Sequence, residues 1–263
     1  MTEEQTQNNG HRQKNLAGAR MVLRGRDERI MTTLYGLRVA SSEQLVRAHF
    51  PTKGAARKRL TILNEAGYLD AVFYQVREGM QPIKLWYLTP RPYKREAKQA
   101  GRPQEKYPDF PKRMDHHLKT NDIYADIYKP LTEILDEGMI EGSNWLWKNE
   151  SHSFRRYEYA GRVNVHQPDA EVHFPDGRVF CIERQTSSSR ETYKVFQEKV
   201  EGFCTYINYM GFEDGQARLV FACDEKRDQD HAGKACKEYN AKALVTEPAD
   251  AAQYIIEQAK GAG

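Results

Sequence analysis

Apolar positions along the chain follow two spacings, one helical and one alternating. Over residues 26–39, Ile30, Leu34 and Leu37 repeat at helical intervals with Met31 and Tyr35 beside them, which predicts a helix with one buried stripe. Ala40-Ser41-Ser42-Glu43 supplies a capping serine for a short helix over 44–50, and Pro51 stops it. Thr52 is placed to cap a third helix, Lys53–Ala66, whose Ala56, Leu60 and Leu63 share one face. Gly67 ends that helix. Two runs rich in β-branched and aromatic residues, 68–76 and 83–89, flank a polar loop bearing Gly79 and Pro82, the pattern of a β-hairpin.

Three short helices and a hairpin, in that order, predict a winged helix-turn-helix domain over residues 23–92. In that arrangement the third helix enters the major groove and the hairpin loop reaches a neighbouring phosphate. The residues expected to touch DNA are Lys53, Arg57, Lys58 and Thr61 on the helix, with Arg77 and Lys84 at the wing.

Charge sharpens this picture. The net charge of +3 hides an asymmetry: residues 20–100 hold 16 Lys and Arg against 7 Asp and Glu, whereas residues 101–263 hold 22 against 28. A segment at +9 attracts a polyanion and gains counterion-release free energy on docking.

Residues 93–114 hold several prolines among many charges without sustained periodicity and are expected to be a linker. Residues 1–22 are polar and mixed in charge, the composition of a disordered arm.

The remaining segment, 115–263, changes character. Leu118, Ile123, Ile127, Leu131, Ile134 and Leu135 predict one or two helices from Asp115 to Gly138, bent at Pro130. A strand follows at 144–149, and after a charged and polar stretch comes a hairpin of 172–174 and 179–183 around Pro175-Asp176-Gly177. A long helix starting near Ser189, a strand at 217–223, a helix at 230–239, a strand at 243–246 and a terminal helix from Pro248 complete the series. The order predicts a layered α/β domain with a mixed sheet.

Composition excludes some classes. An apolar share of 39% suits a water-exposed globular protein, and no apolar run approaches the roughly 20 residues of a membrane-spanning helix. The first residues lack the apolar middle of a secretory signal, so a cytoplasmic location is expected. Cys181, Cys204, Cys223 and Cys236 are far apart within apolar patterns and read as buried thiols.

The candidate chemistry is acidic. Asp169 heads one arm of the second hairpin and Glu183 lies near the end of the other, with Gln185 sharing its face at i and i+2. Two carboxylates converging at a strand end form a hard oxygen site that suits Mg2+, and a metal there can activate water against a phosphodiester. Glu150, after Trp145-Leu146-Trp147, is a further carboxylate candidate. His116 and His117 diverge by about 100° on a helix, so with Asp115 placed to cap that helix they are read as structural groups, not as joint ligands of one ion.

Pro168-Asp169 and, after a gap, Glu183-Arg184-Gln185 resemble the PD-(D/E)xK nuclease superfamily, which implies a restriction-endonuclease-like α/β domain. That superfamily ordinarily has lysine where Gln185 stands; some members carry it on the following helix, where Lys194 and Lys199 are available.

The arrangement also resembles the replication-relaxation family of plasmids and other mobile elements. The likeness rests on Trp86-Tyr87-Leu88-Thr89-Pro90, His116-His117-Leu118, Asn121-Asp122, Trp147, Glu150, Pro168-Asp169 and Ile182-Glu183. It implies a DNA-binding protein for plasmid replication, or for relaxation of plasmid DNA before transfer, acting beside an initiator or relaxase. The rival expectations are a Mg-dependent endonuclease or nickase using Asp169 and Glu183, and an autoregulatory transcription factor. A homodimer is expected from the paired half-sites that such domains often read.

Overall fold

The computed structural model describes residues 22–76, 79–136, 145–187 and 191–260. The expected arm and Arg77 of the wing fall outside them, apart from the exposed Val22. The N-terminal order matches the sequence pattern: α1 (Gly25–Leu37), β1 (Ala40–Ser41), α2 (Ser42–His49), α3 (Lys53–Glu65), β2 (Leu69–Tyr74) and β3 (Ile83–Leu88). Ser41 Oγ accepts from the Gln44 N–H at 3.1 Å while Gln44 Oε1 accepts from the Ser41 N–H at 2.9 Å, a reciprocal cap on α2. Thr52 Oγ1 accepts from the Ala55 N–H at 3.2 Å and caps α3. Strand β1 is too short for any alternation to register in sequence. It pairs antiparallel with β3 and completes a three-stranded sheet in the order β1-β3-β2.

The expected linker at 93–114 is corrected at its start, because Pro90–Gln99 form α4. Pro90 and Pro92 fall in the first turn, where a missing N–H leaves no hydrogen bond unmade. Tyr93 and Ala97 are buried one turn apart, and Glu96 accepts a hydrogen bond from Thr32 of α1 at 2.9 Å. Pro103, Pro108 and Pro111, the prolines of the expected linker, all come after this helix.

Beyond α4 the order is α5 (Met114–Asp136), β4 (Leu146–Asn149), α6 (Glu150–Ser153), β5 (Arg155–Tyr159), β6 (Arg162–His166), β7 (Ala170–His173), β8 (Val179–Gln185), α7 (Tyr193–Met210), β9 (Ala217–Cys223), α8 (Lys226–Glu238), β10 (Ala243–Thr246) and α9 (Pro248–Lys260). Helix α5 contains Pro130 and runs on as one helix to Asp136; the expected end at Gly138 and the expected start at Ser189 lie outside the described residues. The hairpin β5–β6 replaces the expected polar connection before residue 172. Only Tyr157 and His166 of its two strands are buried; Tyr159, Val163 and Val165 alternate with polar residues but face solvent. Its turn residues Ala160 and Gly161 have φ of 53° and 72°, as a two-residue hairpin of type I′ requires.

The fold is α/β with a mixed five-stranded sheet in the order β10-β9-β8-β7-β4. Strands β8, β9 and β10 are parallel, and β7 runs antiparallel to both β8 and β4. Alternate residues divide the sheet between two cores. Phe180, Ile182, Val220 and Ala222 join Ile123 and Ile127 of α5, Ile255 of α9, and Ile30, Leu34 and Leu60 of the N-terminal helices. Val179, Cys181, Leu219 and Phe221 meet Phe196, Val200 and Phe203 of α7 and Ala232 of α8.

One hydrophobic core therefore runs from the N-terminal helices into the sheet, with α5 between them. Polar contacts fix the same junction: His117 Nε2 donates to the Leu37 carbonyl at 2.7 Å, Asn121 Nδ2 to that of Val39 at 2.8 Å, and Asn149 Nδ2 to that of Gly36 at 2.7 Å. Arg47 of α2 bonds Asp122 and Asp126 of α5. All four cysteines are free thiols, three buried and Cys204 half-buried. Among the described residues no helix is long and apolar enough to cross a membrane.

Candidate carboxylate–lysine site and basic helix

Register brings Asp169 to Glu183. Ala170 pairs with Ile182, so Asp169, one residue earlier, sits at the end of the β7–β8 ladder, and its Oδ2 accepts from the Arg184 N–H at 2.7 Å. The Ser153 hydroxyl donates to the Pro168 carbonyl at 3.0 Å and anchors the approach to Asp169. His116 Nε2 donates to Asp169 Oδ1 at 2.8 Å. The two adjacent histidines do diverge, His116 toward Asp169 and His117 toward Leu37. Asp115 accepts from the Tyr74 hydroxyl at 2.9 Å.

Lys199, on α7, enters the same cluster. Its Nζ lies 2.9 Å from Glu183 Oε2 and 3.1 Å from Glu191 Oε2. Gln185 bridges them: with its amide turned to satisfy both neighbours, its oxygen accepts from Lys199 Nζ at 2.7 Å and its nitrogen donates to Glu191 at 2.9 Å. Lys194 does not reach the cluster; it is exposed, 3.8 Å from Glu198. Glu150 is exposed and accepts from Gln167 Nε2 at 3.3 Å, and no hydrogen bond or ion pair among the described residues joins it to Asp169, Glu183 or Lys199.

The two carboxyls are driven apart in acidity. For Glu183, burial is the main effect and, with the negative charges of Asp169 and Glu191, outweighs Lys199, so its pKa is pushed up to about 7. Burial also opposes ionisation of Asp169. There the His116 hydrogen bond, the His116 and Lys199 charges and the Arg184 N–H together prevail, and its pKa falls below the ordinary value. Burial pulls Lys199 down, but Glu183, Asp169 and Glu191 hold its pKa above the usual lysine value. Two titratable groups with separated acidities beside a fixed cation are equipped for proton transfer and for holding a cation.

Access is through a cleft of about 240 Å3, whose lining includes His166, Gln167, Glu183, Glu198, Lys199 and Phe203. That is smaller than the roughly 300–1,000 Å3 of sites that enclose a small organic ligand. Below the cluster, Arg184 bonds Asp224 and donates to the Ala222 carbonyl at 3.0 Å, while Lys119 Nζ lies 2.8 Å from Asp224. Glu191, the His116 contact and this Asp224 layer were not anticipated in the sequence. Asp224 carried one usable signal, its place just past the end of β9, beside the end of the parallel β8.

On α3, Lys53, Arg57, Lys58 and Thr61 are all exposed. Among the described residues no ion pair engages Lys53, Arg57 or Lys58, whereas Arg59 turns inward to Asp27, its Nε donating to Oδ1 at 2.7 Å. Lys84 lies against its own hairpin, its Nζ 4.1 Å from the centre of the Trp86 ring.

Fold and site thus define an α/β protein with a carboxylate–lysine cluster at the end of its central strand and a basic helix on the module packed against the sheet. The chain belongs to the replication-relaxation family, which matches residues 31–220. No curated protein matches it.

Proposed function

We propose that this chain is a double-stranded-DNA-binding protein acting in the replication or relaxation of a plasmid or other mobile element, beside an initiator or relaxase. Residues 23–92 serve as a winged helix-turn-helix domain, with α3 in the major groove and the β2–β3 hairpin as the wing. The observation that carries this reading is the exposed set Lys53, Arg57 and Lys58, without ion-pair partners among the described residues while the fourth cation of the helix is held by Asp27. Family membership supports the biological setting. The test is anisotropy of a labelled duplex with the full chain: replacing Lys53, Arg57 and Lys58 by alanine weakens binding at least about tenfold, and replacing Lys226 and Lys234 of α8 leaves it unchanged. Equal loss in both variants would leave only non-specific charge attraction.

A second reading is favoured by one contact, that of Lys199 with Glu183. On this reading the second half is a PD-(D/E)xK-like endonuclease or nickase whose lysine comes from α7. Asp169 and Glu183 offer the hard oxygen donors that Mg2+ prefers, and the ion would supply Lewis acidity toward a phosphodiester. Asp169 is oriented by His116 and the Arg184 N–H, and Lys199 holds positive charge beside the scissile group. Supercoiled plasmid incubated with the protein and Mg2+ or Mn2+ is nicked if this reading holds, and Glu183→Ala abolishes nicking. Intact plasmid with both metals would leave the second half with a binding or assembly role alone.

A further inference from the structure

Next to the carboxylate–lysine cluster, on the same face of the sheet, stands a second group of donors that the first does not use. Glu171 of β7 and Cys181 of β8 are directly paired across the ladder, and His166 at the end of β6 closes over them. All three are buried, and one donor atom from each lies within 4.8 Å of the others. We infer that His166, Glu171 and Cys181 form a binding site for one divalent transition-metal cation of the zinc type.

The spacing of the donors supports this. Tetrahedral zinc bonds of about 2.0–2.1 Å to nitrogen and oxygen and about 2.3 Å to sulfur imply N···S and N···O edges of about 3.6 and 3.4 Å. Here Cys181 Sγ is 3.6 Å from His166 Nε2, and His166 Nε2 is 3.7 Å from Glu171 Oε1.

The partners of Glu171 supply an independent indication. Its carboxylate is fully buried, and three groups converge on one oxygen: His173 Nε2 at 2.7 Å, Arg155 at 2.9 Å and Lys148 at 4.0 Å from Oε2. The other oxygen, Oε1, is buried with no hydrogen-bond partner among the described residues and faces His166. An unsatisfied buried carboxylate oxygen is costly, and a metal ion is a partner that satisfies it. The imidazole is held in place by Tyr206, whose ring stacks on it at 3.9 Å and 8°.

Thiolate and imidazole select a borderline-soft ion over Mg2+ or Ca2+. Binding releases the Cys181 proton to solvent, and the thiolate and Glu171 then face the metal, with Arg155 and Lys148 beside the other oxygen of Glu171. Three protein donors leave one position for water or a further ligand. Among the described residues the hairpin β5–β6 has no ladder to the main sheet, so the metal would pin it there through His166.

The test is titration of the metal-free full chain with Co2+, followed by displacement with Zn2+. One equivalent of Co2+ is expected to give a near-ultraviolet thiolate-to-cobalt band, which Zn2+ removes. Zn2+ is expected to raise the melting temperature. Cys181→Ser should abolish the band and weaken Zn2+ binding by more than about 100-fold, beyond the cost of losing an outer partner. Glu171→Gln keeps the shape of the side chain and should weaken binding comparably. Absence of the band in the wild-type chain with intact circular dichroism would overturn the site, and so would a band that survives Cys181→Ser. The site stands or falls independently of DNA binding by α3.

Discussion

Lys199 of α7 lies 2.9 Å from Glu183 of β8, so a cation from the following helix reaches the carboxylate at the strand end. Both side chains are largely withdrawn from water, and Lys199 also faces Asp169 and Glu191, so removing it leaves buried carboxyls without their cation. Lys199→Met should therefore cost about 3 kcal/mol in urea unfolding at pH 8, and adding Glu183→Leu should restore much of it. A loss under about 0.5 kcal/mol, the level of an exposed pair, would show that the contact contributes nothing.

Glu183 gives the fold a pH dependence of definite sign. Its carboxyl titrates near 7 in the folded chain against an ordinary value of 4.5, so the folded state holds the proton more tightly. The stability linked to that proton is complete below about pH 4.5 and is lost as pH rises through 7. Melting temperatures of Glu183→Gln and the wild-type chain should thus diverge between pH 5 and pH 8, with the variant gaining. A constant difference would contradict the raised value.

The basic helix is oriented from beneath by Asp27 and Arg59. Asp27 is fully buried, caps the first turn of α1 by accepting from the Arg24 N–H at 2.8 Å, and binds Arg59 of α3. Burial opposes its ionisation, but the Arg59 contact and the Arg24 N–H hold its pKa below the ordinary value. Asp27→Asn and Arg59→Met should each cost about 3 kcal/mol, with the double variant costing well under their sum. Additive losses in chemical denaturation would mean the two residues act separately.

The N-terminal helices and hairpin were legible because local signals agreed: capping residues at Ser41 and Thr52, stop signals at Pro51 and Gly67, and clean periodicity between them. The paired strands around Pro175-Asp176-Gly177, and with them the meeting of Asp169 and Glu183, were legible for the same reason. The β5–β6 hairpin was not: its alternation, Tyr157 and Tyr159 around Glu158 and Val163 and Val165 around Asn164, is short, sits among charged residues and puts most of its apolar side chains in solvent. Helix α4 was hidden because its charged sequence buries only Tyr93 and Ala97 as apolar anchors beyond its opening prolines. His116, Glu191 and Lys199 reach the site through tertiary packing across distant segments, which local spacing does not encode; Lys199 entered only as one of two lysines on the following helix.

The account rests first on α3 meeting the phosphates of a duplex, and the most direct test is the salt dependence of binding for the wild-type chain and for Arg57→Ala/Lys58→Ala. The slope of log affinity against log salt should flatten by about 1.8 in the double variant, since each phosphate contact contributes about 0.9. Superimposable slopes for the two folded proteins would place the DNA-binding surface elsewhere and contradict the account.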